Sequence, residues 1–171
     1  LAAALQQGIS LDTNYSSAPY QLPGSDVVTN VGGGCGVCNL REATKQSLNT
    51  SFLRLQEDLK NGTQDTADMA HALGVAKSLP GIEKTLTENG KQPFEGIVLG
   101  QYQSRPLDMA TAMSTLANQG VWHNPHFVQR VENAAGEVLY EHPEDEGERR
   151  VSSNVANNVI EAMEPDRKSV V

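Results

Sequence analysis

The stretch KQSLNTSF, residues 45–52, decides how this chain is interpreted. Ser47, Leu48 and Asn49 permit two interpretations, an active-site tripeptide or a plain junction between two helices. Serine and asparagine are common at helix ends, because their short polar side chains accept hydrogen bonds from free backbone N–H groups. Taken alone, the tripeptide favours the junction, so the flanking sequence has to decide.

The residues on both sides of the tripeptide predict helices. Asn39 resembles an N-cap with Glu42 at the third helical position, a capping-box pattern that predicts a short helix through about Gln46. Asn49 is predicted to cap the next helix. The apolar residues of that helix are spaced i, i+3 and i+7 and share one face: Phe52, Leu55 and Leu59.

The rest of the chain predicts a mostly helical α+β arrangement with one β-hairpin. LAAALQQG (1–8) is typical of the last turns of a helix and has no start cap, so the chain is expected to be a fragment. Residues 10–37 predict a long irregular segment. The hairpin is predicted at FVQRVENAAGEVLYEH (127–142), where two alternating runs flank an Asn-Ala-Ala-Gly turn.

Three further helices are predicted, after Thr63, from Pro106 to Gly120, and after residue 150. The apolar run 97–100 is predicted to be buried. The inner faces of the three helices are predicted to carry, in turn, Met69, Ala72, Leu73 and Ala76; Met109, Ala112, Met113, Leu116 and Ala117; and Val155, Val159, Ile160 and Met163.

The composition bounds the class of protein. With 171 residues, 38% hydrophobic and 20% charged, the chain is large enough for one domain with a real core. Its formal net charge of −8 repels phosphate backbones, which argues against a nucleic-acid partner. No apolar run approaches the roughly 20 residues that span a bilayer. A membrane anchor is therefore expected only in an N-terminal part of the parent protein.

Both cysteines lie in one C-x-x-C, Cys35 to Cys38. A disulfide is the preferred interpretation and would imply an oxidising compartment. A free thiol pair is the next alternative. A zinc site is the third and would need His123 and His126 as its other two ligands.

The family resemblance lies in an ordered set of long matches, not in Ser-x-Asn alone. AHALGVAKSLP (70–80), LGQYQSRPLDMATAMSTLANQG (99–120) and NPHFVQRVENAAGEVLYEH (124–142) follow KQSLNTSF in the order expected for one family. LAAALQQGIS (1–10) resembles the end of the helix that begins with that family's nucleophile. The chain resembles the transpeptidase domain of a class A penicillin-binding protein of actinobacterial type. The resemblance implies part of the serine transpeptidase and β-lactamase-like, penicillin-recognising fold.

The resemblance also implies serine acyl transfer on D-alanyl-D-alanine stem peptides of peptidoglycan, with β-lactams as mimics of the donor and no cofactor. Ser47 and Asn49 are the catalytic residues that it implies here. The Ser47 hydroxyl can donate and accept hydrogen bonds, so it can pass a proton between a lysine and the leaving amine. The Asn49 amide can hold a substrate amide in register. Leu48 is expected to point into the protein.

The sequence departs from the family pattern in two motifs. It contains no Ser-x-x-Lys carrying the nucleophile and no Lys-Thr-Gly strand. These motifs are expected upstream of Leu1 and beyond Val171, and the chain alone is expected to be inactive. Residues 1–165 are thus predicted to be a partial transpeptidase domain and 166–171 an unassigned tail.

The parent is expected to be membrane-anchored and extracytoplasmic, and the fragment is expected to form homo-oligomers through exposed apolar faces. The alternative function is a non-catalytic module that binds peptidoglycan or protein on the same scaffold, and the missing motifs are its motivation.

Overall fold

A computed structural model describes residues 1–164. The helices in this part of the chain are α1 (Ala2–Gln6), α2 (Leu40–Lys45), α3 (Asn49–Glu57), α4 (Thr63–Leu73), α5 (Pro106–Ala117) and α6 (Ser153–Met163), with a 3-10 helix at Glu95–Leu99. The mostly helical α+β prediction is confirmed. The predicted boundary at residue 165 and the tail 166–171 lie outside the described residues.

The strands of the described residues are short and pair only in twos. The four antiparallel pairs are β1 (Asn14–Ser16) with β4 (Val37–Asn39), β2 (Tyr20–Gln21) with β3 (Val27–Val28), β5 (Val121–Trp122) with β8 (Glu148–Arg149), and β6 (Arg130–Glu132) with β7 (Val138–Glu141). The β6–β7 pair is the predicted hairpin. Its turn is held by the Asn133 side chain, which accepts hydrogen bonds from the N–H groups of Ala135 and Glu137, each at 3.0 Å.

The strand pair β1–β4 corrects the prediction of an irregular segment at 10–37. Tyr15 pairs with Cys38 in this ladder, more than twenty residues along the chain. Strands of two or three residues show no alternating pattern, and their partners are distant in sequence, so local pattern analysis cannot detect them.

The core contains two large apolar clusters that share helix α1. The first cluster contains Ala2, Leu73, Ala112, Leu116, Val151, Val155, Ala156 and Val159. The second contains Ala3, Ala4, Leu11, Tyr15, Leu40, Leu55, Leu59 and Ala162. Leu5 and Met69 pack against both clusters. The predicted face of α3 is confirmed for Phe52 and Leu55, which pack in the second cluster. Leu59 is also buried in that cluster, but it lies beyond the end of α3 at Glu57.

The predicted inner face of α5 is wrong for three of its residues. Ala112 and Leu116 are buried, but the side chains of Met109 and Met113 are about half exposed, and Ala117 is exposed. The helix is rotated relative to its apolar pattern.

Two threonines occupy the buried side of α5 in place of the methionines. The Thr111 hydroxyl donates to Leu107 O at 2.8 Å, and the Thr115 hydroxyl lies 2.8 Å from Leu73 O on α4. These bonds satisfy the hydroxyl groups, so the threonines can be buried at little cost. Hydrophobic periodicity treats threonine as polar and therefore misplaces the face.

Other predicted buried runs hold only in part. In the 3-10 helix Ile97 is buried, whereas Leu99 is 39% exposed. In α4 the predicted Ala76 lies beyond the helix end. In α6 Met163 is exposed and Ile160 is half-buried, and the buried residues are Val155, Ala156, Val159 and Ala162. Within residues 1–164, no helix has both the length and the apolar character that crossing a membrane requires.

Candidate active site

The tripeptide predicted as a site lies at the sharp bend between α2 and α3. Helix α2 is capped by Asn39, whose side chain accepts a hydrogen bond from Glu42 N at 3.0 Å, as predicted. In a full capping box the Glu42 side chain would also accept a hydrogen bond from Asn39 N. Here the Glu42 carboxylate instead accepts one from the Gln46 side-chain amide, at 2.6 Å. The helix ends at Lys45, with Gln46 as its C-cap.

Ser47 occupies the position after that C-cap in a left-handed backbone conformation, φ +53°. Ser47 N donates to Thr44 O, and Leu48 N donates to Ala43 O, each at 3.0 Å. This pair of bonds is the Schellman arrangement, in which the left-handed residue is usually glycine. A serine in this conformation is uncommon, although Leu86, Asn89 and Gln119 share it with φ between +51° and +54°. Strained residues of this kind cluster at active sites and ligand clamps. The Ser47 side chain is exposed.

Leu48 fixes the bend, as expected. Its side chain is 1% exposed and packed into the interior. Leu48 directly follows Ser47 and is also the N-cap residue of α3. Burial of a leucine side chain stabilises a folded protein by roughly 2 kcal/mol. This stabilisation offsets the conformational strain at Ser47.

The prediction that Asn49 caps α3 is wrong by one position. Asn49 is the first residue of the helix, and Leu48 precedes it as the N-cap without a side-chain hydrogen bond. The Asn49 side chain is half-buried, and its Nδ2 lies 3.4 Å from Thr29 O. Among the described residues, its carbonyl oxygen and second N–H group remain available to a ligand.

Ser47 and Asn49 open onto a common cleft of about 350 Å³. The remaining lining residues are Thr44, Leu48, Phe52, Val98 and Leu99. The cleft thus has a polar edge at the bend and an apolar wall from α3 and the 3-10 helix. The sequence pattern did not predict this wall, because residues 97–100 form one apolar run that is typical of a buried segment.

A positively charged side chain of α3 holds residues 10–39, called the arm below, against this helix. The Arg54 guanidinium donates to the carbonyl oxygens of Ser16, Ala18 and Pro19 at 3.2, 2.9 and 3.1 Å. Tyr20 of the arm donates a hydrogen bond to the Glu57 carboxylate. Burial, and to a smaller extent this hydrogen bond, raises the pKa of Tyr20 to about 12. The phenol therefore stays protonated at neutral pH and keeps this contact.

The two cysteines of the arm are joined by a disulfide, with 2.07 Å between the sulfur atoms. Within residues 1–164, no three His, Cys, Asp or Glu side chains come together in a way that would hold a metal ion. His126 instead stacks on His142 with ring centroids 3.6 Å apart, and His123 lies 3.5 Å from Asp145. The zinc alternative therefore has no support in this part of the chain.

The paired serine and lysine of a Ser-x-x-Lys motif are absent from the sequence. Lys45, the lysine nearest in sequence to Ser47, is exposed and lies 3.9 Å from Glu42. The bend thus presents the Ser47 hydroxyl and the Asn49 amide to the cleft.

The fold and the bend agree with a known class of protein. The family model "Penicillin binding protein transpeptidase domain" matches residues 1–170. The chain belongs to this family, and the predicted class A type is also supported by its relatives.

Two similar proteins are mycobacterial. The chain is 52% identical to penicillin-binding protein 1A of Mycolicibacterium smegmatis, over 96% of this chain and 21% of that protein. It superposes on the penicillin-binding protein PonA1 of Mycobacterium tuberculosis with a TM-score of 0.88 at 49% identity, covering 95% of this chain and 42% of that one. For PonA1 in complex with penicillin V the TM-score is 0.86 at 50% identity, with 95% and 43% covered. The chain thus spans about a fifth of its curated relative's length.

Proposed function

We propose that residues 1–171 form part of a peptidoglycan D,D-transpeptidase that crosslinks stem peptides by serine acyl transfer and is acylated by β-lactams. The observation that carries this proposal is the strained bend, which keeps the Ser47 hydroxyl exposed beside the Asn49 amide over one cleft. Membership of the transpeptidase family supports it. The natural protein is proposed to be anchored in the membrane and to face outward, where a disulfide such as Cys35–Cys38 is stable.

The reaction would proceed in two acyl transfers. A serine activated by a lysine, both from a Ser-x-x-Lys motif of the natural protein outside these residues, attacks the carbonyl carbon between the two D-alanines. Its proton passes to the lysine, and Ser47 relays a proton to the nitrogen of the departing D-alanine. The peptide C–N bond breaks, and an ester to the serine remains. The amine of a second stem peptide then attacks the ester, releases the serine and forms the crosslink.

Asn49 would position the donor during both steps. A side-chain amide offers one acceptor and two donors, which match the C=O and N–H groups of an extended peptide. Its Nδ2 contact with Thr29 O orients the amide plane before the substrate binds. Orientation of this kind lowers the barrier because the reacting groups are held in register.

The test compares acylation by a fluorescent penicillin in the longest natural protein that contains this chain. We expect Ser47→Ala and Ser47→Gly to slow acylation by about 100-fold, the usual range for loss of a proton-transfer group. Ser47→Gly keeps the left-handed backbone free of strain, so a loss shared by both variants identifies the hydroxyl as its cause. Ser78→Ala, at an exposed serine, is the matched control.

The isolated chain provides the second arm of the test. We expect its intact mass to stay unchanged after incubation with penicillin under non-reducing conditions. A stoichiometric adduct would place a nucleophile within these residues and contradict the assignment. A natural protein that binds stem peptide but takes no penicillin would instead favour the non-catalytic module.

A further inference from the structure

Helix α3, which carries Asn49, begins without a cap of its own. Its N-cap position is occupied by Leu48, an apolar residue that is 1% exposed and makes no side-chain cap bond. The first N–H groups of a helix have no partner within the helix and need one from elsewhere. Leu48 cannot be replaced by a capping residue without losing the buried anchor of the bend.

The missing cap is supplied by Asn30 from the arm, twenty residues earlier in the chain than Thr50. Asn30 Oδ1 accepts a hydrogen bond from Thr50 N at 3.0 Å, the bond that a capping side chain would normally make. Asn30 Nδ2 donates to Thr50 Oγ1 and to Ser17 O, each at 2.9 Å. Thr50 is 0% exposed, so an unpaired N–H group there would be costly.

The same arm segment also contacts the residue before Thr50. Thr29, the neighbour of Asn30, accepts the Asn49 Nδ2 contact at 3.4 Å through its backbone oxygen. That contact is long, whereas the bonds of Asn30 are of ordinary length. The bonds of Asn30 therefore help to hold Thr29 O beside Asn49.

We propose that Asn30 is a positioning residue of the transpeptidase site. It caps α3 from outside the helix and so holds Asn49 and its orienting partner Thr29 O in register. The inference rests on the proposed function, because it assigns Asn30 an effect on acylation that acts through Asn49. A residue that merely secured the arm would affect stability without this dependence on Asn49.

The experiment is a double-mutant cycle in the natural protein that contains this chain, with the rate of acylation by fluorescent penicillin as its readout. We expect Asn30→Ala to slow acylation by about tenfold when Asn49 is present, a loss in line with a small misplacement of a substrate-binding group. In the Asn49→Ala background the same change should slow acylation by less than about twofold.

The control and the second variant keep the outcome unambiguous. Asn157→Ala removes an exposed asparagine of α6 and should leave the rate unchanged. If Asn30→Ala does not fold, Asn30→Ser replaces it in the cycle, because its shorter side chain stays polar but does not reach Thr50 N.

Three outcomes would overturn the inference, and they separate it from the proposed function. An equal loss in both Asn49 backgrounds means that Asn30 does not act through Asn49. No loss for Asn30→Ala, alongside a loss for Asn49→Ala, overturns the inference and leaves the proposed function intact. No loss for Asn49→Ala overturns the inference together with the positioning role proposed for Asn49, whereas a wild-type protein that takes no penicillin overturns the proposed function itself.

Discussion

Ser47 holds a left-handed conformation that costs an L-residue about 1 kcal/mol or more. The surrounding hydrogen bonds and the buried Leu48 impose it, since Ser47 N and Leu48 N both close the end of α2. Glycine would adopt this conformation without strain, but it would leave no hydroxyl at the cleft. The choice of serine is thus explained by the chemistry proposed for the site.

A second residue, Asp108, contributes to stability through its charge. Its side chain is 4% exposed and accepts two hydrogen bonds from the Arg105 guanidinium, at 2.7 and 3.1 Å. Burial by itself raises the pKa of Asp108, but hydrogen bonds from Arg105 and from Ala76 N outweigh it, and the net pKa is lowered. The folded protein therefore holds this carboxylate ionised more strongly than the unfolded chain does.

The sign of the pH effect follows from that lowered pKa. Above the unfolded value of about 3.9 the stabilisation by Asp108 is fully present, and it is lost as the pH falls through the folded value. We expect Asp108→Asn to lower the free energy of unfolding by about 2 kcal/mol at pH 7 and by less below about pH 4. Urea unfolding across this range measures it. Asp26→Asn, at an exposed position, is the control. An Asp108→Asn loss that is the same at both pH values would contradict the assignment.

The connection from α5 to β5 illustrates how one residue joins two elements. Gly120 has φ +84°, and its carbonyl oxygen accepts hydrogen bonds from Arg150 N and Val151 N at 3.0 and 3.2 Å. A Cβ atom at Gly120 would overlap the carbonyl oxygen of Val151. Two conditions therefore require glycine, the left-handed backbone and the close approach of the segment before α6.

We expect Gly120→Ala to destabilise the domain by about 3 kcal/mol or more, from backbone strain plus the clash. Gly136→Ala in the hairpin turn is a matched control, because Gly136 has φ +82° but no atom within 4 Å of the position that a Cβ atom would take. That control should cost only about 1 kcal/mol. Thermal unfolding of both variants compares them. Equal losses would show that the contact with Val151 is unimportant.

At the scale of the whole molecule, the two apolar clusters are joined and not separate. Leu5 of α1 and Met69 of α4 pack against both, and α6 contributes Val155 to one and Ala162 to the other. Because the clusters share elements, damage to one should weaken both. The two helices that flank the bend at Ser47 pack in the second cluster, α2 through Leu40 and α3 through Leu55.

We expect Leu40→Ala to lower the free energy of unfolding by about 3 kcal/mol, because Leu40 is fully buried and its loss leaves a cavity. Met113→Ala, at a residue 49% exposed, should change it by less than about 1 kcal/mol. Urea unfolding followed by both far-ultraviolet and near-ultraviolet circular dichroism measures the loss. Separate transitions by the two probes would contradict the joined core.

The exposed apolar side chains bear on assembly. Phe127 and Leu139 in and beside the hairpin are 88% and 62% exposed, and Met109 and Met113 of α5 are about half exposed. Exposed apolar surface favours association. The homo-oligomer nevertheless stays a prediction, because nothing in residues 1–164 indicates what covers these side chains.

The sequence by itself determined the elements with strong local signals and the family. The helices around KQSLNTSF, the hairpin turn at Asn133 and the cap at Asn39 depend on contacts within a few residues, so pattern analysis could find them. The family was visible in the order of long matches. Ser47 and Asn49 were singled out in the same way, and their catalytic roles stay predictions.

Tertiary structure alone decided the rotation of α5, the short strand pairs of the arm, the apolar wall of the cleft and the cap that Asn30 provides to α3. Each of these depends on partners that are distant along the chain. The buried Thr115 hydroxyl donates to a carbonyl oxygen of another helix. The N–H group of Thr50 at the start of α3 donates to the side chain of Asn30 from another segment. Local sequence carries no information about such partners, because the hydrogen bonds exist only once the chain has folded.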